Sequence, residues 1–145
     1  MLTLQEIFNL SVSRMIAQGE ASMDDDRDVC KYRSETITGK VLGCGVGVLI
    51  ASEDYRPEFD TPRVGGTSVM SLSGNADFIS AMTNAGIDLK LPHVSRTLSE
   101  IQCSHDFASL STTGFVGTFK KQIRKRLPNF AKNCPSLKET EHVVS

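Results

Sequence analysis

The chain has 145 residues, of which 39% are apolar and 23% charged, and its formal net charge is −1. This length predicts a single domain, the apolar share excludes a disordered chain, and the near-neutral charge argues against a strongly basic nucleic-acid-binding protein. The longest uncharged apolar stretch runs from Val41 to Ala51, which is much shorter than the roughly 20 residues of a membrane-spanning helix. The N-terminus lacks the basic and apolar segments of a secretory peptide, so we expect a cytoplasmic protein without a membrane partner.

The first predicted element is a helix over residues 3–18. Thr3 and Glu6 have the spacing of a capping box, in which each side chain bonds a free amide of the first turn. Apolar residues then recur at helical spacing and form one stripe, which consists of Leu4, Ile7, Phe8, Val12, Met15 and Ile16. Gly19 follows as a suitable helix end.

A small β-hairpin is predicted next. The acidic run over residues 24–28 precedes it, and we interpret this run as a solvated loop because the Gly and Glu of a calcium-binding loop are missing. Residues 29–33 alternate between polar and apolar, residues 34–39 favour a turn, and residues 40–44 favour the returning strand. We expect this hairpin to pack against the first helix.

Three glycines follow at alternate positions, Gly43, Gly45 and Gly47. They do not form a dinucleotide-binding fingerprint, because Val48 occupies the place of the third glycine. Whether the segment is a strand or a short helix, one side presents bare backbone that another segment or a ligand can approach closely. Internal packing and ligand binding therefore both remain open.

Three further helices are predicted in the second half of the chain. They cover residues 77–85, residues 92–103, and a last segment that starts at Thr112 or Thr113 and ends before Pro128. The apolar residues of each recur at helical spacing and predict one buried face per helix.

The complete pattern predicts an α+β fold, a mostly helical single domain with a small β-hairpin packed on the N-terminal helix. We expect this domain to cover residues 1–136. Residues 137–145 carry little apolar patterning and are predicted to form a mobile tail.

The last predicted helix carries a cluster of cations, Lys120, Lys121, Arg124, Lys125 and Arg126. A solvated outer face explains the cluster, and so does an anionic partner or an acidic patch on a second copy of the chain. Interleaved aromatic residues for base stacking are missing, which argues against nucleic acid as the partner.

Four cysteines, Cys30, Cys44, Cys103 and Cys134, occur without a Cys-x-x-Cys pair. We therefore expect reduced thiols that act as small buried hydrophobic groups. Zinc binding by the first three together with His105 is an alternative, but structural zinc sites usually have closer ligand pairs. We predict neither a metal nor a cofactor.

A cysteine enzyme is a further alternative. In it, Cys44 is the nucleophile and His105 is the base. Asp106 or Asp28 would orient the imidazole. No local signature surrounds Cys44, so we do not favour catalysis.

A series of motifs runs through much of the chain: LQEIF at 4–8, Gln18 and Ser22, CKYR at 30–33, LGCGVGVLI at 42–50, YRPE at 55–58 and IQCSHD at 101–106. In this order they resemble a family of small, uncharacterised proteins that are common in tailed-phage and prophage genomes. The resemblance covers about residues 4–106, with Gly45 in place of an Ala and a longer segment at 61–92. It implies a phage accessory protein and does not imply a mechanism.

We therefore predict a non-enzymatic phage accessory protein that acts by binding in the host cytoplasm. It would interfere with a host defence protein or sequester a small anionic, nucleotide-like signal, whose phosphates need Arg, Lys and backbone amides. The predicted ligand-binding residues are Arg33, Gly43, Gly45, Gly47, Arg56, Lys120 and Arg124. The alternatives are the Cys44–His105 enzyme and a virion or assembly component, and a homo-oligomer is compatible with all of them.

Overall fold

The computed structural model describes residues 1–24, 30–60 and 68–138. Within these ranges the chain forms six α-helices and one two-stranded antiparallel sheet. The elements are α1 (Leu4–Gln18), β1 (Arg33–Glu35), β2 (Val41–Gly43), α2 (Val69–Leu72), α3 (Ala76–Asn84), α4 (Val94–Ala108), α5 (Phe115–Arg126) and α6 (Pro128–Ala131). The mostly helical α+β fold predicted from the sequence is confirmed. No helix in the described part of the chain is long and apolar enough to cross a membrane.

Helix α1 begins and ends where the sequence predicts. The Thr3 side chain accepts from the Glu6 backbone N–H at 3.1 Å, and the Glu6 carboxylate accepts from the Thr3 N–H at 2.8 Å, which completes the capping box. Gly19 ends the helix at a φ of 79°, a left-handed conformation that glycine adopts without strain. The buried face of the helix consists of Ile7, Phe8, Ser11, Val12 and Met15.

The first strand of the hairpin lies further along the chain than the predicted segment 29–33. Pairing begins with Arg33 opposite Gly43. Residues 30 and 31 pair instead with the segment after α1, through a Met23–Cys30 bridge and a bond of 3.0 Å from the Lys31 N–H to the Ser22 carbonyl. The Asp60 carboxylate accepts the backbone N–H groups of Tyr32 at 2.7 Å and Arg33 at 3.3 Å. These amides are therefore bonded to a side chain and not to a neighbouring strand.

The hairpin meets the end of α1 through the side-chain amide of Gln18. Gln18 Nε2 donates to the Gly43 carbonyl at 2.9 Å, and the Gly43 N–H donates to Gln18 Oε1 at 2.9 Å. Lys40 Nζ donates to the Gln18 carbonyl at 3.0 Å. A single glutamine thus takes both hydrogen-bonding groups of Gly43.

The glycine-rich segment forms a turn that leads into a short 3₁₀ helix, Gly47–Leu49. The turn is closed by a hydrogen bond of 3.0 Å from the Val48 N–H to the Cys44 carbonyl. It brings the backbone that follows β2 back beside α1 and the hairpin.

The core consists of two apolar clusters that share the long helix α4. One surrounds Tyr32, Phe59 and Phe78, and the other lies between α1, α4 and α5 around Phe8 and Phe119. Helix α4 continues beyond its predicted end at residue 103 to Ala108. His105 and Asp106 therefore lie in the last turn of this helix.

The C-terminal segment folds onto α5 as far as the structure describes it. Leu137, which we placed in the tail, is 5% exposed and lies in a 3₁₀ helix, Pro135–Leu137. Arg124 donates to its carbonyl at 2.7 Å. Residues 139–145 of the predicted tail and residues 25–28 of the acidic run lie outside the described ranges.

Candidate functional site

A cleft between the end of α1, the hairpin and the glycine turn gathers three cationic side chains. Its volume is about 370 Å³, and no acidic side chain lines it within the described residues. It is lined by Arg14, Ala17, Gln18, Arg33, Lys40, Val41, Leu42, Gly43, Gly47, Val48 and Ile50. We call it the basic cleft. Three predicted ligand-binding residues, Arg33, Gly43 and Gly47, lie in it together with Arg14, Gln18 and Lys40, which were not predicted as ligand-binding residues.

Both arginines of the basic cleft are anchored to the same turn. Arg14 Nη1 donates to the Val48 carbonyl at 2.8 Å, and Arg33 Nη2 donates to the Ile50 carbonyl at 3.0 Å. These two carbonyls are two residues apart, so both guanidinium groups are tied to one short stretch of backbone. A guanidinium has five N–H donors, and each arginine therefore retains donors for a ligand.

Arg33 also carries a buried donor that lacks an acceptor. Its Nε is buried and makes no hydrogen bond among the described residues. The guanidinium is held in place by Nη1, which donates to Ser52 Oγ at 2.9 Å, and by the Tyr55 ring, whose centroid lies 5.1 Å away. A buried donor without a partner costs about 1–3 kcal/mol, a cost that an acceptor reaching this atom would remove.

Lys40 is the third cation of the basic cleft and the most adaptable one. Its Nζ lies 3.5 Å from Glu20 Oε2, and about half of each side chain in this ion pair is exposed. An exposed ion pair contributes between 0 and about 1 kcal/mol to stability. The ammonium group can therefore turn towards a bound anion at little cost.

The three glycines mark a place where backbone is closely approached, as the sequence predicts. A Cβ on Gly47 would lie 1.8 Å from the Tyr32 carbonyl oxygen, and one on Gly45 would lie 2.5 Å from Ile101 Cγ2. A Cβ on Gly43 would meet the following turn at 2.8 Å. The chain itself makes these approaches. Gly43 and Gly47 are buried residues that line the basic cleft, whereas Gly45 packs on α4 and does not line it.

The other predicted ligand-binding residues lie outside the basic cleft. Arg56 is exposed, and its Nη1 donates to the carbonyls of Glu53 and Tyr55. Lys120 and Arg124 are on α5. The structure therefore brings three of the seven predicted residues together and leaves four elsewhere.

His105 is the centre of a second polar site, deep in the molecule. The side chain is fully buried, its Nε2 accepts from the Ser22 backbone N–H at 2.9 Å, and its Nδ1 lies 2.9 Å from Asp106 Oδ1. Cys30 joins this group, and the ligand-type atoms of Cys30, His105 and Asp106 all lie within 4.8 Å of one another. We call these three residues the His105 cluster.

Hydrogen bonding determines the tautomer of His105. The Ser22 N–H can only donate, so Nε2 carries the lone pair, and Nδ1 carries the proton that it donates to Asp106. The unprotonated nitrogen that a general base or a metal ligand needs is thus already bonded to a backbone amide. A metal-binding imidazole also donates its second nitrogen to an acceptor, but its first nitrogen is available to the metal, whereas Nε2 of His105 is occupied. The arrangement fits a structural tie between α4 and the segment before the hairpin.

The thiols do not form the predicted nucleophile–base pair. Cys44 is fully buried, its Sγ accepts from the Gly47 N–H at 3.3 Å, and burial raises its pKa to about 12. Cys30 is the cysteine beside His105, and burial raises its pKa to about 11. Nucleophilic thiols need a lowered pKa. Of the four residues in the zinc alternative, the His105 cluster contains Cys30 and His105 but neither Cys44 nor the exposed Cys103.

Comparison with known proteins adds no functional information. No protein-family model, no curated protein and no solved structure matches this chain. The functional inference therefore depends on the basic cleft and the His105 cluster.

Proposed function

We propose that this protein binds a small anionic, nucleotide-like ligand in the basic cleft, and that binding and not catalysis is its activity. The observation that carries the proposal is the convergence of Arg14, Arg33 and Lys40 in a cleft that no described acidic side chain lines. Like charges in a concave site focus the electrostatic field and attract ions of the opposite sign.

The lining of the basic cleft favours a ligand that has both a phosphate and a less polar part. Guanidinium groups match phosphate oxygens in a two-pronged geometry. Val41, Leu42 and Ile50 supply apolar surface in the same cleft, whose volume of about 370 Å³ is within the range of small-molecule sites. A mononucleotide combines the two kinds of group.

The resemblance to small tailed-phage proteins supplies the biological setting of the proposal. In that setting the protein is an accessory protein that sequesters a host signal in the cytoplasm. Sequestration needs affinity and no turnover. The raised pKa values of Cys30 and Cys44 agree with this, because they leave both thiols protonated near neutral pH.

Isothermal titration calorimetry with AMP, pyrophosphate and adenosine tests the proposal. We expect AMP and pyrophosphate to bind and uncharged adenosine to bind far more weakly. Lys40→Glu should weaken AMP binding about tenfold or more, because it places a negative charge in the basic cleft. Arg56→Glu is the matched control, since it makes the same charge change at an exposed site outside the cleft, and it should alter the affinity less than about twofold.

Two results would contradict the proposal. One is the absence of binding by both phosphate-bearing probes. The other is an equal loss of affinity in the Lys40 and Arg56 variants, which would mean that the probes respond to net charge and not to the cleft.

A further inference from the structure

A second cationic groove lies at the end of α5, beside α6 and the 3₁₀ helix Pro135–Leu137. Its volume is about 290 Å³, and it is lined by Arg124, Pro128, Ala131, Lys132, Leu137 and Lys138. We call it the α5–α6 groove. It shares no lining residue with the basic cleft, so it is a separate surface.

The α5–α6 groove combines an apolar floor with a cationic rim. Ala131 and Leu137 are 8% and 5% exposed and form part of the floor. Arg124, Lys132 and Lys138 are exposed on the rim, and no acidic side chain lines the groove within the described residues. Such a lining favours an occupant that has both carboxylates and an apolar side chain.

The positive surface continues from the groove along α5. Lys121 and Lys125 are exposed, lie four residues apart on one face, and flank Arg124. Neither forms an ion pair with a described residue, whereas Arg126 on the same helix lies 3.5 Å from Glu100 Oε2. Like charges at this spacing repel by a few tenths of a kcal/mol, so the surface would gain from negative charge on a partner.

We propose that the α5–α6 groove docks an acidic segment of a partner protein, which places an apolar side chain on the floor and carboxylates beside the lysines. We choose this occupant because its negative charges complement the cationic side chains of the groove. Nucleic acid fits less well, because no aromatic ring among the described residues lines the groove for base stacking. A free phosphate also fits less well, because it has no apolar group to cover the buried Ala131 and Leu137 side chains. The inference goes beyond the proposed function, since it concerns a protein partner and another surface.

Fluorescence anisotropy with a short labelled peptide, in which Glu residues flank one Leu, tests the proposal on the full chain. We expect the peptide to bind, and we expect added salt to weaken the binding because exposed charges are screened. The double variant Lys132→Glu, Lys138→Glu should weaken it about tenfold or more. The control variant Lys90→Glu, Arg96→Glu makes the same charge change at exposed positions outside the groove and should have little effect.

Three outcomes would overturn the proposal: no binding of the Glu peptide, equal binding of a matched peptide with Gln for Glu, or equal losses in the two double variants. Labelled RNA that binds more tightly than the peptide would also overturn it, because nucleic acid would then be the better partner. The double variant Lys132→Glu, Lys138→Glu should still bind AMP, because its basic cleft is unchanged. This measurement therefore distinguishes a failure of the docking proposal from a failure of the proposed function.

Discussion

The basic cleft and the His105 cluster both contain residue types that bind or catalyse in many proteins, and they differ in how their polar atoms are satisfied. In the His105 cluster, both ring nitrogens have partners within the chain, and the Cys30 thiol donates to Ser109 Oγ at 3.4 Å. In the basic cleft, Arg33 Nε is buried without an acceptor among the described residues.

This difference is the reason why we propose a structural role for the His105 cluster and a binding role for the basic cleft. Buried polar groups nearly always have a hydrogen-bond partner, so an exception needs an explanation. The His105 cluster needs no external partner to complete it. In the basic cleft one donor, Arg33 Nε, lacks an acceptor among the described residues, and the proposed ligand would supply it.

The largest effect should come from filling the space beside Gly47, which forms a wall of the basic cleft. Gly47→Ala would place a Cβ 1.8 Å from the Tyr32 carbonyl oxygen, and backbone atoms there cannot move aside easily. We expect a loss of about 3 kcal/mol or more in the free energy of unfolding, measured by chemical denaturation. Gly74→Ala is the control, because nothing lies within 4 Å of its added methyl group. If both variants are equally stable, the Tyr32 backbone does not shape the cleft.

Removal of the His105 imidazole should destabilise the fold and leave the basic cleft functional. His105→Ala removes the acceptor of the buried Ser22 N–H and leaves a cavity, so we expect a loss of about 2–4 kcal/mol. Below its unfolding temperature, this variant should bind AMP as the original protein does. The exposed His93 is the control position, and His93→Asn should change stability by less than about 0.5 kcal/mol. A His105→Ala protein that is stable but no longer binds would move the functional site to the cluster.

The sequence predicts the features of this fold that depend on neighbouring residues. The capping box and apolar stripe of α1 are such features, since helical periodicity is local. The position of the first strand was wrong because residues 30–32 are bonded to other segments, namely the one after α1 and Asp60. The basic cleft was not predicted from the sequence for the same reason, because no local pattern relates Arg14 to Lys40.

Substitution of Cys44 should have a smaller effect on stability. It tests whether this thiol, which lies beside the wall of the basic cleft, has only a structural role. Cys44→Ser replaces a fully buried Sγ by a more polar hydroxyl, and we expect a loss of about 1–3 kcal/mol with no change in AMP affinity. Cys103→Ser, at an exposed position on α4, should cost less than about 0.5 kcal/mol. Loss of binding in the Cys44 variant at unchanged stability would instead favour a chemical role for this thiol.

Amide and arginine NMR during a titration with AMP tests the central claim most directly, because it reports on both regions in one sample. The account predicts that chemical shifts change at the Gly43, Gly47 and Val48 amides and at the Arg33 Nε–H, which should gain an acceptor. The Ser22 amide and the His105 ring should stay unchanged. Shifts concentrated at Ser22 and His105, or a titration that leaves the Arg33 Nε–H unaffected, would contradict it.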